Sequence, residues 1–88
     1  MNEIIYTKEV IVDEKPYTAK AYKTLNGVDI VFYENEINIF KESISDKEYN
    51  SIDMFIRQYG NDIAFENLID SVKRSFILKT KGEVQPTN

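Results

Sequence analysis

Hydrophobic and polar residues alternate along roughly the first half of the chain, which is the pattern of half-buried β-strands. Polar or glycine-containing turns interrupt the alternation at three places. The segments between them are Ile4–Val12, Tyr17–Thr24, Val28–Glu34 and Ile37–Lys41. The last segment is short. The pattern therefore predicts an antiparallel meander of three or four strands.

The dipeptide Asn26-Gly27 is the clearest turn signal in the chain. A type I′ hairpin needs positive φ at both central residues, and this dipeptide adopts that conformation with little strain. We expect Asn26 and Gly27 to form the centre of the hairpin between the second and third strands. On the second strand, Ala19 and Ala21 share a face with Tyr17, so bulky side chains from another element should pack over them.

From Ser45 onward the apolar period changes to that of helices. Ser45 and Glu48 have the spacing of a capping box, which starts the first helix. Gly60 suits the residue that ends it, and Asn61 or Asp62 is expected to cap the second helix. The apolar stripes of the two helices are Tyr49, Ile52, Phe55, Ile56 and Tyr59, then Phe65, Leu68, Ile69, Val72 and Phe76.

These elements predict one α+β domain over residues 1–88, in the order ββββαα, with both helices packed on one face of the sheet. The sheet is expected over about 3–42 and the helices over about 45–79. Residues 80–88 have no apolar period and are expected to form a frayed tail.

The composition argues against catalysis. The chain contains no histidine, cysteine or tryptophan, so the side chains most used for proton transfer near neutral pH and for thiol chemistry are missing. Its three glycines are each explained by a turn or a helix end, and none belongs to a phosphate-binding loop. We therefore predict a protein that is not an enzyme, with no catalytic residues, metal site or cofactor.

Charge provides the functional hypothesis. Fifteen acidic residues against eleven basic ones give a formal net charge of −4. The acids concentrate between Asp29 and Glu66, and a negative surface of this kind accelerates association with a basic partner. We predict a small protein-binding module that contacts a basic protein surface. The candidate partner-binding residues are Asp29, Glu34, Glu36, Asp46, Glu48 and Asp53.

A narrower form of this hypothesis is an inhibitor from a phage or mobile element. Carboxylates that imitate nucleic-acid phosphates would occupy the basic cleft of a host nucleic-acid-handling protein, such as a defence nuclease. The many Ile, Lys, Asn and Glu residues are typical of AT-rich coding sequence, which fits a low-GC bacterium or its phages.

The alternative is a structural or regulatory homodimer without catalysis. Tyr22, Val31 and Tyr33 point away from the face assigned to the helices, so they would leave the other face partly apolar and available for assembly. Direct nucleic-acid binding is disfavoured, because cations such as Lys79 near the end of a helix are explained by the helix dipole.

The amino-terminal residues lack the basic and apolar regions of a secretory signal, and no apolar run is long enough to span a membrane. These features predict a cytoplasmic protein with no membrane association.

Overall fold

A computed structural model describes residues 3–84 of the chain, without the side chains of residues 46, 48–51 and 81–84. The strands form one antiparallel sheet in the order β1-β2-β3-β4, followed by two helices. The elements are β1 (Glu3–Val12), β2 (Lys15–Thr24), β3 (Gly27–Glu34), β4 (Ile37–Ser45), α1 (Asp46–Tyr59) and α2 (Asn61–Val84). The α+β meander with two C-terminal helices is confirmed, and β4 is a full strand that reaches Ser45.

The small residues of β2 make room for the helices, as expected. Ala19 and Ala21 have no exposed surface. Tyr6, which is the β1 partner of Ala21, stacks its ring on Phe65 of α2 with 5.0 Å between the ring centroids. The absence of a large side chain at Ala21 therefore lets an aromatic pair close over the sheet.

Phe76 anchors the later part of α2 over the other three strands. Its ring lies 5.5 Å from that of Tyr17 on β2, 5.6 Å from Phe32 on β3 and 5.3 Å from Phe40 on β4. Because Phe65 contacts β1 and Phe76 contacts β2, β3 and β4, α2 crosses the sheet from one edge to the other.

Helix α1 packs on β3 and β4, with Ile52 and Ile56 against the core. The other described residues of its predicted stripe do not pack against the core cluster. Phe55 is half-buried and pairs with Tyr59 at 4.9 Å between ring centroids, and Tyr59 is exposed. The side chain of Tyr49 lies outside the described residues.

Gly60 both ends α1 and starts α2. Its φ of 95° is left-handed, and its N–H donates to the Ile56 carbonyl at 2.7 Å. Its own carbonyl accepts from the Ala64 N–H at 3.2 Å, which is the first hydrogen bond of α2. The prediction that Asn61 or Asp62 caps α2 is therefore wrong, since both residues already belong to the helix.

Irregularities in both edge strands change which side chains reach the core. Ile4 pairs with Tyr22 while Tyr6 pairs with Ala21, so Ile5 is an extra residue that turns Ile4 away from the helices. On β4, Ile39 is the extra residue: Ile37 and Ile39 are exposed, and Phe40 and Ile44 supply the core contacts instead.

The β2–β3 hairpin is confirmed, but the predicted type I′ centre at Asn26-Gly27 is wrong, because the turn lies one residue earlier and Asn26 does not have a positive φ. Leu25 and Asn26 are the turn residues, and Gly27 already pairs with Thr24 as the first residue of β3. Gly27 has a φ of 152°, and a Cβ atom there would collide with the carbonyl oxygen of Ile44 on β4. The glycine is needed for this close approach rather than for the turn centre.

Helix α2 continues to Val84, five residues beyond the predicted end, so the predicted tail is helical over 80–84. Residues 85–88 lie outside the described part of the chain. Within the described part, no helix has the length and apolar character required to cross a membrane.

Candidate functional site

Two of the predicted partner-binding carboxylates are paired with cations of the same chain. Asp29 lies on the face of the sheet opposite the helices, where its carboxylate is 3.9 Å from the Lys41 ammonium. Asp53 lies on α1 and forms an ion pair with Arg57 at 3.1 Å. These two acids are on opposite sides of the sheet, and a cation of the protein itself partly neutralises each of them.

The other predicted acids occupy the two ends of the sheet. Glu34 ends β3 and Glu36 lies in the β3–β4 turn, and Glu34 is roughly 16 Å along the strand from Asp29. Asp46 and Glu48 follow the opposite end of β4, and their side chains lie outside the described residues. The structure therefore places Glu34 and Glu36 at the same end of the sheet, away from Asp29.

Three further acids lie at the same end of the sheet as Glu34 and Glu36. In a meander, the first and third turns fall at the same end of the sheet, so the β1–β2 turn lies at the same end as the β3–β4 turn. Glu9 near the end of β1 lines one shallow depression together with Glu36. We call this group the acidic turn end, and its members are Glu9, Asp13, Glu14, Glu34 and Glu36.

The carboxylates of the acidic turn end are available to a partner. Four of the five are exposed and Glu34 is half-buried. Among the described residues, none of them forms an ion pair, in contrast to Asp29 and Asp53. Lys15 shares the first turn and Lys20 lies beside Glu36, yet the acids outnumber these cations.

The backbone of both turns is left-handed at residues other than glycine. Asp13 and Glu14 have φ values of 52° and 67°, and Asn35 and Glu36 have values of 51° and 68°. These are the signs that a two-residue I′ turn requires, although glutamate rarely adopts them. Each turn is held by paired strands on both sides, so its carboxylate projects from a fixed backbone.

The sheet face opposite the helices, here called the open face, is more polar than expected. The hydroxyls of Tyr22 and Tyr33 are hydrogen-bonded at 2.6 Å, and the Lys20 ammonium lies 5.1 Å from the ring centroid of Tyr33. Val31 lies between the tyrosines and is only 4% exposed. Of the three residues expected to form an apolar patch, Val31 is buried and the two tyrosines pair their hydroxyls, while Ile4 and Ile11 of β1 are exposed apolar residues on this face.

This hydroxyl pair has a pH signature. The hydrogen bond to Tyr22, together with burial, raises the pKa of Tyr33 from its usual 10.0 to about 12. Between pH 10 and 12 the unfolded chain loses a proton that the folded protein keeps, so the contribution of Tyr33 to stability is complete below pH 10 and declines as pH rises. Tyr22→Phe should lower the Tyr33 pKa and reduce this decline.

Ultraviolet titration of phenolate absorbance, with urea unfolding at each pH, checks this expectation. Tyr59→Phe is the control, because Tyr59 is exposed and lies on α1, on the opposite side of the sheet from the open face. If Tyr33 in the unmodified protein titrated with the usual tyrosine pKa of 10.0, the hydroxyl pair would not form in solution.

A second pair connects the sheet to α2. The Lys8 ammonium lies 3.0 Å from the Glu66 carboxylate, and this hydrogen bond raises the Lys8 pKa. Burial, followed by the negative charges of Asp62 and Glu66, raises the pKa of the neighbouring Tyr6. Both shifts leave Lys8 charged and Tyr6 neutral near neutral pH.

Comparison of the chain with protein-family models, curated proteins and solved structures finds no match.

Proposed function

We propose that this protein is a non-catalytic binding module whose acidic turn end contacts a basic surface on a partner protein. The observation that carries the proposal is that Glu9, Asp13, Glu14, Glu34 and Glu36 lie at the same end of the sheet, where none of them forms an ion pair among the described residues. Of the acids proposed from sequence, Glu34 and Glu36 belong to this surface.

Electrostatics supports this choice of surface. Exposed carboxylates close together produce a negative field that attracts cations over about a Debye length, roughly 8–10 Å at physiological salt. Asp29 and Asp53 contribute less to such a field because Lys41 and Arg57 oppose them locally. The fixed backbone of the two turns also reduces the entropy lost when a partner binds.

The narrower proposal is inhibition of a nucleic-acid-handling protein by a phage or mobile-element product. The carboxylates at this end of the sheet would meet the Lys and Arg residues that normally bind phosphates. The short chain, its net charge of −4 and its AT-rich type of composition support this version. In this version, the nucleic acid that the partner normally binds would compete with this protein for the partner's basic surface.

Charge reversal at the two turns tests the proposal. Glu14→Lys combined with Glu36→Lys should weaken partner binding by about tenfold or more, which is about 1.4 kcal/mol, and should flatten its salt dependence. The matched control is Glu3→Lys combined with Asp70→Lys, which changes net charge equally at exposed positions elsewhere. Both variants and the unmodified protein serve as parallel baits, and the captured proteins are identified by mass spectrometry.

A partner that is lost with the turn variant, kept with the control and released by salt supports the proposal. Equal loss with both variants would mean that only net charge matters and would contradict it. The homodimer alternative predicts a different result, because light scattering should then show a dimer mass that persists at high salt. With Val31 covered, the open face offers such a dimer little apolar surface at its centre.

A further inference from the structure

The tip of the β2–β3 hairpin contains a chemically labile pair. Asn26-Gly27 is the only Asn-Gly dipeptide in the sequence. The Asn26 side chain is exposed, and among the described residues no hydrogen bond holds its amide. Its neighbour Leu25 is 93% exposed, so water reaches the Asn26 side chain, whereas Gly27 is buried. We propose that Asn26 is a site of spontaneous deamidation in the folded protein.

The reaction needs only water as a co-reactant. The backbone nitrogen of Gly27 attacks Cγ of the Asn26 side chain, forms a C–N bond and loses its proton. The side-chain nitrogen leaves as ammonia, and a five-membered cyclic imide remains. Water then adds to one of the two imide carbonyls and opens the ring. The product is aspartate or its isomer isoaspartate, so a carboxyl group replaces the carboxamide without any oxidation or reduction.

The residue after the asparagine decides which site reacts. Gly27 has no side chain to obstruct the approach of its nitrogen, and it pairs with Thr24 at the end of the hairpin, where pairs open most readily. Asn35 is the natural comparison, because it is also exposed in a two-residue turn but precedes Glu36. Asn67 differs further, since its amide donates to the Ile63 carbonyl at 3.0 Å.

Isoaspartate at this position would damage the fold. It inserts one additional methylene group into the main chain immediately before Gly27. Gly27 packs so closely on the Ile44 carbonyl that even a Cβ atom would collide with it. A longer main chain there would displace Gly27 from both Thr24 and β4, so deamidation should loosen this end of the sheet. The inference is independent of the proposed binding function.

The test is incubation of the full-length protein at mildly alkaline pH, followed by peptide mapping and labelling with isoaspartyl methyltransferase. We expect the Asn26 peptide to show the mass gain of NH replaced by O at least about tenfold faster than the Asn35 peptide, a barrier difference of about 1.4 kcal/mol. The converted fraction should unfold at lower urea than intact protein. Asn26→Ser should abolish methyltransferase labelling of that peptide. The urea midpoint of the variant protein should stay constant during the incubation.

Two results would overturn the inference. In the first, Asn26 stays intact in the folded protein but deamidates in the urea-unfolded protein, which would show that the hairpin protects it. The other is conversion at Asn26 and Asn35 at equal rates, because Gly27 would then have no special effect.

Discussion

Phe32→Ala should lower the free energy of unfolding by about 3–5 kcal/mol, the usual cost of removing a fully buried phenylalanine ring. Phe32 has no exposed surface and lies on the central strand β3. Its ring is 6.4 Å from Phe40 on β4 and 5.6 Å from Phe76 on α2, so the truncation would leave a cavity between the sheet and the helix. Urea denaturation followed by circular dichroism measures the loss.

Phe55→Ala is the matched control, because it removes the same atoms from a half-buried site. Phe55 contacts the exposed Tyr59 ring and is not part of the core cluster, so we expect a loss of about 1 kcal/mol. The helical period alone places Phe55 in the core as readily as the strand pattern places Phe32 there, and the structure distinguishes them. Similar losses from the two substitutions would mean that α1 packs more deeply on the sheet in solution.

The order of the elements was predictable because the change from a period of two to a helical period is strong near Ser45. Which side chains of the edge strands β1 and β4 face the helices was not predictable. An extra residue such as Ile5 or Ile39 reverses the alternation, yet it leaves no mark in a pattern where apolar residues occur on both sides. The strand alternation alone would therefore put Ile4 on the same face as Tyr6, whereas the register turns it to the opposite face.

The residue types in the turns predicted the backbone conformation wrongly in two opposite ways. Asn26-Gly27 has the composition of a I′ centre, but Leu25 and Asn26 form the turn, and Gly27 is the first residue of β3 and packs on the Ile44 carbonyl. Conversely, Asp13 and Glu14 adopt positive φ although glutamate disfavours it. The pairing of the long strands β1 and β2 outweighs the conformational cost of positive φ in the turn. Rules based on the turn residues alone do not include this pairing.

The acidic turn end shows why a count along the sequence is a poor guide to a surface. The charge excess between Asp29 and Glu66 suggested one patch, but it spans both ends of the sheet and both of its faces. Glu14 and Glu36 are 22 positions apart in the chain and still share one end of the sheet, because a meander returns to that end at every second turn. That geometry follows from the predicted topology and would have identified Asp13 and Glu14.

Gly27→Ala should be the most damaging single-methyl change in the protein, with a loss of at least about 3 kcal/mol. Two costs add at this position. An L-residue resists the φ of 152°, and the new Cβ atom would collide with the Ile44 carbonyl, which is main chain and can move only if β4 moves. Relief of the collision would separate β3 from β4 at the point where α1 begins.

Gly60→Ala separates the two costs. Gly60 also has a left-handed φ, of 95°, but nothing lies within 4 Å of the position that a Cβ atom would take there. Only the conformational cost applies, so we expect a loss of about 1 kcal/mol. Urea midpoints of both variants, measured with the same probe, give the comparison. If Gly27→Ala lost no more stability than Gly60→Ala, the close contact with Ile44 would have to be absent in solution, and β3 and β4 would need a different register at this end.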